Sequence, residues 1–291
     1  MGLAPDSPSL KDLGGAVWSI DTSSIPGAFN PAICRAFDGR LALVARRTNY
    51  TLDTEFGALQ IPSGSKSVVN ASYFSYLSEN LFPTGWQKIK FTSPPDLSRG
   101  VEDARLLRRG SDWYLNVVML ESHTPRARVA IYKLSDDLIA EHIKTYDGQT
   151  AGKPEKNWMA LLESDDLNFD FVSCMPDNIR GGSSLIPWGD GYLAICHTTY
   201  LHSVKYYNPY IFGVQDGIKR TYTHRFVVFD RDLKITGKSK EFFLISRGIE
   251  FATGLIEIDK DLVISFGRDD KESWFGKISI TAVEKMLKEG A

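Results

Sequence analysis

The strongest constraint on the fold is a turn-then-strand signature that repeats along the chain. It reads Asp38-Gly-Arg-Leu-Ala-Leu-Val-Ala45, then Gly110-Ser-Asp-Trp-Tyr-Leu-Asn-Val-Val118, then Gly189-Asp-Gly-Tyr-Leu-Ala-Ile-Cys196, then Asp259-Lys-Asp-Leu-Val-Ile-Ser-Phe266. In each, Gly or Asp bends the backbone and an apolar run follows. A second signature is a strand that ends in an acidic turn: Ile131-Tyr-Lys-Leu-Ser-Asp-Asp-Leu138, Leu161-Leu-Glu-Ser-Asp-Asp-Leu167 and Phe226-Val-Val-Phe-Asp-Arg-Asp-Leu233. A lone hairpin cannot bury its own apolar face, so repeated hairpins stack on one another. About five blades of roughly 50–60 residues would fill the chain. This predicts an all-β chain, a five-bladed β-propeller, with a β-sandwich of similar hairpins as the alternative. Helical spacing is confined to the end, where Ala282, Val283, Met286 and Leu287 define a short C-terminal helix over 281–288 capped by Ser279 or Thr281. Residues 1–291 read as a single domain, with 1–27 as an N-terminal extension. The stretch 58–100 is less regular but marks no domain break.

Composition narrows the function classes. Lys+Arg 34 against Asp+Glu 36 leaves a net charge of -2 and a pI near 6.2, without the basic excess of a nucleic-acid-binding protein. The three cysteines, Cys34, Cys174 and Cys196, are odd in number and widely spaced. That argues against a disulfide framework and against a cysteine zinc site. Cys196 ends an apolar run and reads as a buried thiol. No stretch approaches the about 18 apolar residues of a membrane span, and Met1–Gly15 lacks a basic region followed by an apolar segment. A reducing, cytoplasmic setting follows, for the whole protein or for one domain of a longer one. Aromatic residues at 12% suit β structure, and they also suit packing on the C–H faces of sugars.

Polar clusters sit beside successive strands. The densest is Gly100-Val-Glu-Asp-Ala-Arg105. On a regular strand Glu102 and Asp103 point to opposite faces, so only one faces a given cavity, while Arg105 shares a face with Asp103. Arg105 would then orient Asp103 or keep it ionised; the alternative is a solvated ion pair at a blade edge. Glu155-Lys-Asn-Trp158 groups a cation, an amide and a ring, against the alternative of a surface turn over a buried Trp158. Arg180-Gly-Gly-Ser-Ser184 allows close backbone approach, without the Gly-Lys-Ser/Thr of a nucleotide-binding loop. His197 follows the apolar strand that ends at Cys196. In Tyr222-Thr-His-Arg225, Tyr222 and His224 share one face and Thr223 and Arg225 the other. Glu250-Phe-Ala-Thr-Gly254 and Gly267-Arg-Asp-Asp270 flank the last repeat. Equivalent ends of propeller blades meet at one axial funnel, so these separated clusters can converge. His-Glu-x-x-His, calcium-loop and Gly-x-Ser-x-Gly patterns are absent, and His123 and His202 have no ligand-like companions.

The order Asn30-Pro31, Arg46-Arg47, Glu102-Asp103-Ala-Arg105, Glu155-Lys156-Asn157-Trp158, Gly181-Gly182, His197, Tyr222-x-His224-Arg225 and Gly267-Arg-Asp-Asp270 resembles glycoside hydrolase family 130, from about residue 28 to residue 287. It resembles most a branch associated with polysaccharide building. The resemblance implies a five-bladed β-propeller. It implies an inverting glycoside phosphorylase acting on β-mannoside-like glycans with phosphate or a sugar 1-phosphate. The alternatives are a glycosyltransferase using a nucleotide sugar such as GDP-mannose in polysaccharide synthesis, a hydrolase, or a glycan-binding propeller without catalysis. It implies that Asp103 is the general acid, relaying its proton through a sugar hydroxyl, although Ala104 stands where the family has Pro. It implies anion or sugar binding by Arg46, Arg47, Lys156, His197, Tyr222 and Arg225, of which alternation admits only one of Arg46 and Arg47 to a given face. Asn30, Glu102, Arg105, Asn157, His224, Glu250 and Asp269 complete the expected substrate-binding set. The expected partners are a glycan donor or acceptor and phosphate, a sugar phosphate or a nucleotide sugar, with no metal, no cofactor, no nucleic acid and no membrane span.

Overall fold

The computed structural model describes residues 5–54, 58–65, 67–92, 100–120, 127–146, 157–164, 169–172, 175, 178–208 and 213–290. Nearly all of its regular structure is β, with one short helix, Ile280–Gly290, at the C-terminal end. Ser279 Oγ accepts the Ala282 N–H at 3.2 Å and is the cap.

Four sheets dominate. The first orders Phe29–Arg35, Leu41–Thr48, Asn70–Tyr76 and Gln87–Lys88. The second is the antiparallel set Val101–Arg109, Asp112–Leu120, Ala127–Leu134 and Ile139–Tyr146, edged by the short parallel strands Glu163–Ser164 and Lys90–Thr92. The third runs Ile179–Arg180, Gly191–Asn208, Gly213–Phe229 and Ile235–Lys238, with Ile186–Trp188 also on the long Gly191–Asn208 strand. The fourth runs Ala16–Ser19, Glu272–Ser279, Asp261–Arg268 and Glu250–Ile258. Two small ribbons join Met159–Ala160 to Phe171–Val172 and Thr51–Asp53 to Ala58–Gln60. The fourth sheet ties the two ends of the chain together through Trp18 opposite Phe275. The segment before residue 28 thus supplies an outer strand, and Leu10 is fully buried in the main core.

The repeated signatures become repeated turns. Ahead of each second strand, one residue takes a left-handed backbone: Gly39 (φ 85°), Gly110 (φ 56°), Gly189 (φ 55°) and Asp259 (φ 56°). The acidic turns match each other as well. Leu138 (φ 58°) and Leu233 (φ 61°) are left-handed, and each donates its N–H three residues back, to Ser135 and Asp230. A left-handed leucine is uncommon, so its recurrence marks the two turns as copies of one unit. The third such turn, around Leu167, lies outside the described residues.

The innermost strands Phe29–Arg35, Val101–Arg109 and Glu250–Ile258 pack against one another. All four sheets share a core that includes Val44, Phe74, Leu106, Leu115, Phe226, Phe242 and Phe266. Burying each such side chain stabilises the fold by about 1.5–3 kcal/mol. Cys34 and Cys196 are free and buried, and burial raises both thiol pKa values; Cys174 lies outside the described residues. Among the described residues, no helix is long and apolar enough to cross a membrane.

Candidate active site

The inner strands are irregular where they approach one another. Asn30 and Pro31 together face Ala45, because the register jumps between Phe29 opposite Arg46 and Ala32 opposite Val44. Asp103 and Ala104 likewise oppose Val117 alone. Both are β-bulges, and the first residue of each is left-handed, Asn30 at φ 50° and Asp103 at φ 47°. Asn and Asp tolerate this backbone better than other residues with a Cβ. Close packing holds the first bulge in place: a Cβ on Gly267 would lie 2.0 Å from Asn30 Oδ1.

The bulge corrects one sequence expectation. Strict alternation would send Glu102 and Asp103 to opposite faces. The extra residue turns the strand so that both line one cavity of about 550 Å³, within the usual size range of ligand sites. Arg46 pins the two carboxylates, with Nη2 to Glu102 Oε1 at 3.0 Å and Nη1 to Asp103 Oδ1 at 3.0 Å. Its Nε donates to Asn70 Oδ1 at 2.9 Å. Asn30 Nδ2 donates to the same Asp103 oxygen at 2.8 Å, so the two bulge residues are bonded to each other. Arg46 is 5% exposed. Burial alone would lower its pKa, but Asp103 and Glu102 outweigh that and hold it charged.

The acidic side extends to the fourth sheet. Asp270 lines the cavity and accepts a 2.9 Å hydrogen bond from Tyr50 Oη. Burial raises the pKa of both, against the pull of Arg46. The third sheet lines the cavity with Arg180, His197, Thr199, Arg220 and Tyr222. Arg180 and Arg220 have no ion-pair partner among the described residues. The His197 ring stacks on Tyr222 with centroids 5.0 Å apart. Burial, then the charges of His224, Arg180 and Arg105, push the His197 pKa well below its usual value, so the imidazole is neutral near pH 7. Its Nδ1 is buried without a partner among the described residues.

The expected residues divide cleanly. Asn30, Arg46, Glu102, Asp103, Asn157, His197 and Tyr222 line the cavity. Arg47 is exposed, so Arg46 is the inward member of that pair. Arg105 lies deeper, 2% exposed, donating to the Trp158 carbonyl at 3.2 Å with its guanidinium 5.7 Å from the Phe251 ring. Burial lowers its pKa to about 10, against the pull of Asp103. His224 is fully buried directly opposite His197 on the ladder, and burial lowers its pKa to about 3. Glu250 is also fully buried and accepts the backbone N–H groups of Leu244, Ile245 and Ser246, which makes it a scaffold group. Asp269 is left-handed, sits 3.7 Å from Arg268 and is not part of the cavity lining, which its neighbour Asp270 joins instead. Arg225 points the other way along its strand and pairs with Glu241 at 2.6 Å, at a separate cavity. Lys156 lies outside the described residues. The Gly181-Gly182 pair admits backbone instead of ligand: a Cβ on Gly181 would lie 2.0 Å from the Asn157 carbonyl oxygen.

Nine lining residues were not in the expected set: Tyr50, Leu52, Val68, Arg180, Thr199, Arg220, Ile249, Phe251 and Asp270. Alternation from Tyr222 reaches Arg220, and from His197 reaches Thr199, so both carried a signal. Tyr50 carried none, since it enters from beyond the end of the Leu41–Thr48 strand. No group of three or more His, Cys, Asp or Glu arranged to hold a metal occurs among the described residues.

No protein-family model matches the sequence, and no curated protein does. Solved structures match over most of the chain. A β-1,2-mannobiose phosphorylase from Listeria innocua aligns with a TM-score of 0.63, covering 94% of this chain and 93% of that one at 13% identity. A structure described for the GH130 family of mannoside phosphorylases, and its glycoside hydrolases that target β-1,2-mannosidic linkages in Candida mannan, gives 0.61 over 88% and 85% at 13% identity. MPT-1, a GDP-mannose-dependent mannosyltransferase from Leishmania mexicana, gives 0.57 over 91% and 88% at 10% identity. At such low identity it is architecture that is shared, and the chain has, at a distance, the fold of the GH130 mannoside phosphorylases.

Proposed function

We propose that this chain is a carbohydrate-active enzyme that moves a glycosyl group, with inversion, between a β-mannoside-like glycan and phosphate. The observation that carries the reading is the segregation of charge around the cavity. Glu102, Asp103 and Asp270 come from the second and fourth sheets, whereas the guanidiniums of Arg180 and Arg220, without an ion-pair partner among the described residues, come from the third. Carboxylates and amides recognise sugar hydroxyls, and paired guanidiniums recognise phosphate. A site for a neutral glycan alone has no use for two such cations.

In this reading Asn30, Glu102, Asn157 and Asp270 hold hydroxyls, and Arg180, Arg220, His197 and Tyr222 surround the phosphate. Asp103 gives its proton, through a sugar hydroxyl, to the glycosidic oxygen as the bond to the anomeric carbon breaks. A phosphate oxygen bonds that carbon from the opposite face. The products are an α-sugar 1-phosphate and a glycan one unit shorter, and Asp103 regains its proton from solvent. Phosphate is already an anion, so no general base is required. The four sheets serve as blades of a five-bladed propeller, with Met159–Ala160 and Phe171–Val172 belonging to the fifth. The protein works in the cytoplasm.

A second reading is transfer from GDP-mannose, favoured by the likeness to MPT-1 and by the same two guanidiniums, which also suit a diphosphate. The deciding experiment offers mannose 1-phosphate and GDP-mannose separately with mannoside and glucoside acceptors and reads products by NMR. Turnover with the sugar phosphate supports the phosphorylase. Turnover with the nucleotide sugar alone replaces it with the transferase. Silence with both, alongside retained glycan binding, overturns both in favour of a binding module.

A further inference from the structure

A second cavity of about 540 Å³, nearly the size of the first, lies where the third sheet meets the N-terminal segment and the C-terminal helix. Successive side chains on the long hairpin serve the two cavities in turn: Thr199 and Tyr222 line the first, and Tyr200 and Arg225 line the second. At the second, Glu241 is 9% exposed and is held by three bonds. Arg225 Nη2 donates to Oε1 at 2.6 Å, and Tyr200 Oη lies 3.1 and 2.9 Å from Oε1 and Oε2. Arg225 Nη1 donates to the Ser239 carbonyl at 3.2 Å, and its Nε is buried with no acceptor among the described residues. Burial and the Glu241 hydrogen bond raise the Tyr200 pKa to about 12, so the phenol is neutral.

The chemistry selects a ligand class. Three carboxylates, Asp6, Glu241 and Glu289, face two cations, Arg225 and Lys240. An anion gains nothing here, because the best-placed guanidinium is already neutralised. A carboxylate, a guanidinium and a phenol fixed side by side offer acceptor and donor atoms at the spacing of neighbouring hydroxyls. Apolar surface from Pro5, Pro8, Leu13 and Met286 completes the wall and can pack on the C–H face of a sugar ring. We propose that this second cavity binds a neutral oligosaccharide, independently of the first. The inference rests on the cavity's own groups, and with the glycosyl-transfer reading it makes this site a holding point for a glycan.

The test uses the full chain labelled with 13C at its methionine methyls, with β-linked mannotetraose as the probe. The Met286 methyl shifts on titration, and calorimetry finds two sites. Ser7→Trp fills the rim without touching the buried pair. It removes the Met286 response and one site while leaving turnover of short substrates unchanged. Glu241→Gln keeps the shape but loses the charge, and weakens this site by about tenfold or more. A single site with an unmoved Met286 methyl, or unchanged binding in a folded Ser7→Trp protein, would each overturn the proposal. Binding of spermidine in place of mannotetraose overturns it in favour of a cation site. Because the methyl reports binding alone, a chain inert toward every donor still returns an answer here.

Discussion

The strands Val101–Arg109 and Gly213–Phe229 both deliver side chains to the first cavity, one through a bulge and the other through an unbroken ladder. Gly213–Phe229 pairs residue for residue with Gly191–Asn208, from Asn208 opposite Gly213 to Tyr192 opposite Phe229. Its side chains are therefore sorted strictly by parity: Arg220 and Tyr222 enter the first cavity, and Arg225 enters the second. Val101–Arg109 breaks parity at Asp103, and two adjacent carboxylates reach one cavity. A regular ladder separates neighbours; a bulge concentrates them. Concentration has an energetic cost, since a left-handed residue with a Cβ loses about 1–2 kcal/mol. Here the Arg46 fork and the Asn30 amide hold the strained residue in place.

The sharpest test of that contrast is to separate the two carboxylates the bulge brings together. Asp103→Asn is expected to lower turnover by at least about two orders of magnitude, as for loss of a general acid. Glu102→Gln, which keeps the amide-to-Arg46 geometry, is expected to lose less. Initial rates with mannose 1-phosphate and a mannoside acceptor measure both. Near-normal turnover in Asp103→Asn would remove the acid assignment, and equal losses would mean that the bulge supplies two acids of equal weight.

Two buried groups, one on each kind of strand, respond to pH in opposite senses because burial disfavours the charged form of a base and of an acid alike. His224 is on the regular strand, with a pKa lowered by burial to about 3, whereas Glu250 is on the bulged Glu250–Ile258 strand, with a pKa raised by burial to about 7. The signs are opposite. Unfolded histidine takes up a proton below its ordinary pKa and native His224 does not, so its stabilisation is present above about pH 6.5 and is lost as pH falls toward 3. Native Glu250 binds its proton before the unfolded chain does, so its contribution is present below about pH 4.5 and is lost as pH rises through 7. Between pH 7 and 5 each amounts to about 2 kcal/mol, in opposite directions. His197 acts in the direction of His224. Denaturant unfolding at the two pH values should therefore show a modest net loss of stability on acidification. Glu250→Gln should steepen that loss by about 2 kcal/mol. An unchanged slope in that variant would mean that the three backbone N–H groups keep Glu250 ionised in spite of its burial.

Parity also predicts which arginine meets the anion. Arg220→Ala should raise the phosphate concentration needed for half-maximal rate by about tenfold. Arg225→Ala, on the other parity, should change it by less than about twofold, even if losing the Glu241 partner lowers stability. Steady-state kinetics on folded protein distinguishes the two, and the reverse ranking would undo the assignment of these arginines to separate cavities.

Much of this was legible in the chain itself, for reasons that depend on where the ladder is regular. Period-two alternation put Tyr222 and His224 on one face and Arg225 on the other, which is how they lie. It also required Arg46 and Arg47 to part, and they do. The turn signatures marked the second strands of all four sheets because Gly and Asp accept the left-handed backbone those turns need. Alternation failed at Glu102 and Asp103 because a bulge is a local exception to the rule being applied. For the matching bulge at Asn30 one signal was available. Pro31 cannot donate to a ladder, so a Pro inside an apolar strand points to a bulge or an edge. What could not be read are the contacts between sheets. Asn30 and Arg46 meet Asp103 across separations of 73 and 57 residues, and no local pattern fixes how the sheets are set against one another.

The smallest expected effect isolates the bulge's backbone from its chemistry. Asp103→Gly and Asp103→Ala both delete the carboxylate and both leave Arg46 short of one partner, so those losses cancel in their difference. What remains is the left-handed φ of 47°, which Gly adopts freely and Ala does not. Ala should pay about 1–2 kcal/mol for it, offset in part by the greater entropy that Gly loses on folding. The Gly variant is therefore expected to be about 0.5–1 kcal/mol more stable than the Ala variant, a difference that chemical denaturation resolves when both are measured side by side. At a regular position such as Tyr222 the same pair of substitutions should rank the other way, with Ala more stable, because there Gly brings only its entropy cost. If Ala matches or exceeds Gly at position 103, the strand is not held in a left-handed bulge in solution. Glu102 and Asp103 would then part to opposite faces, as alternation requires.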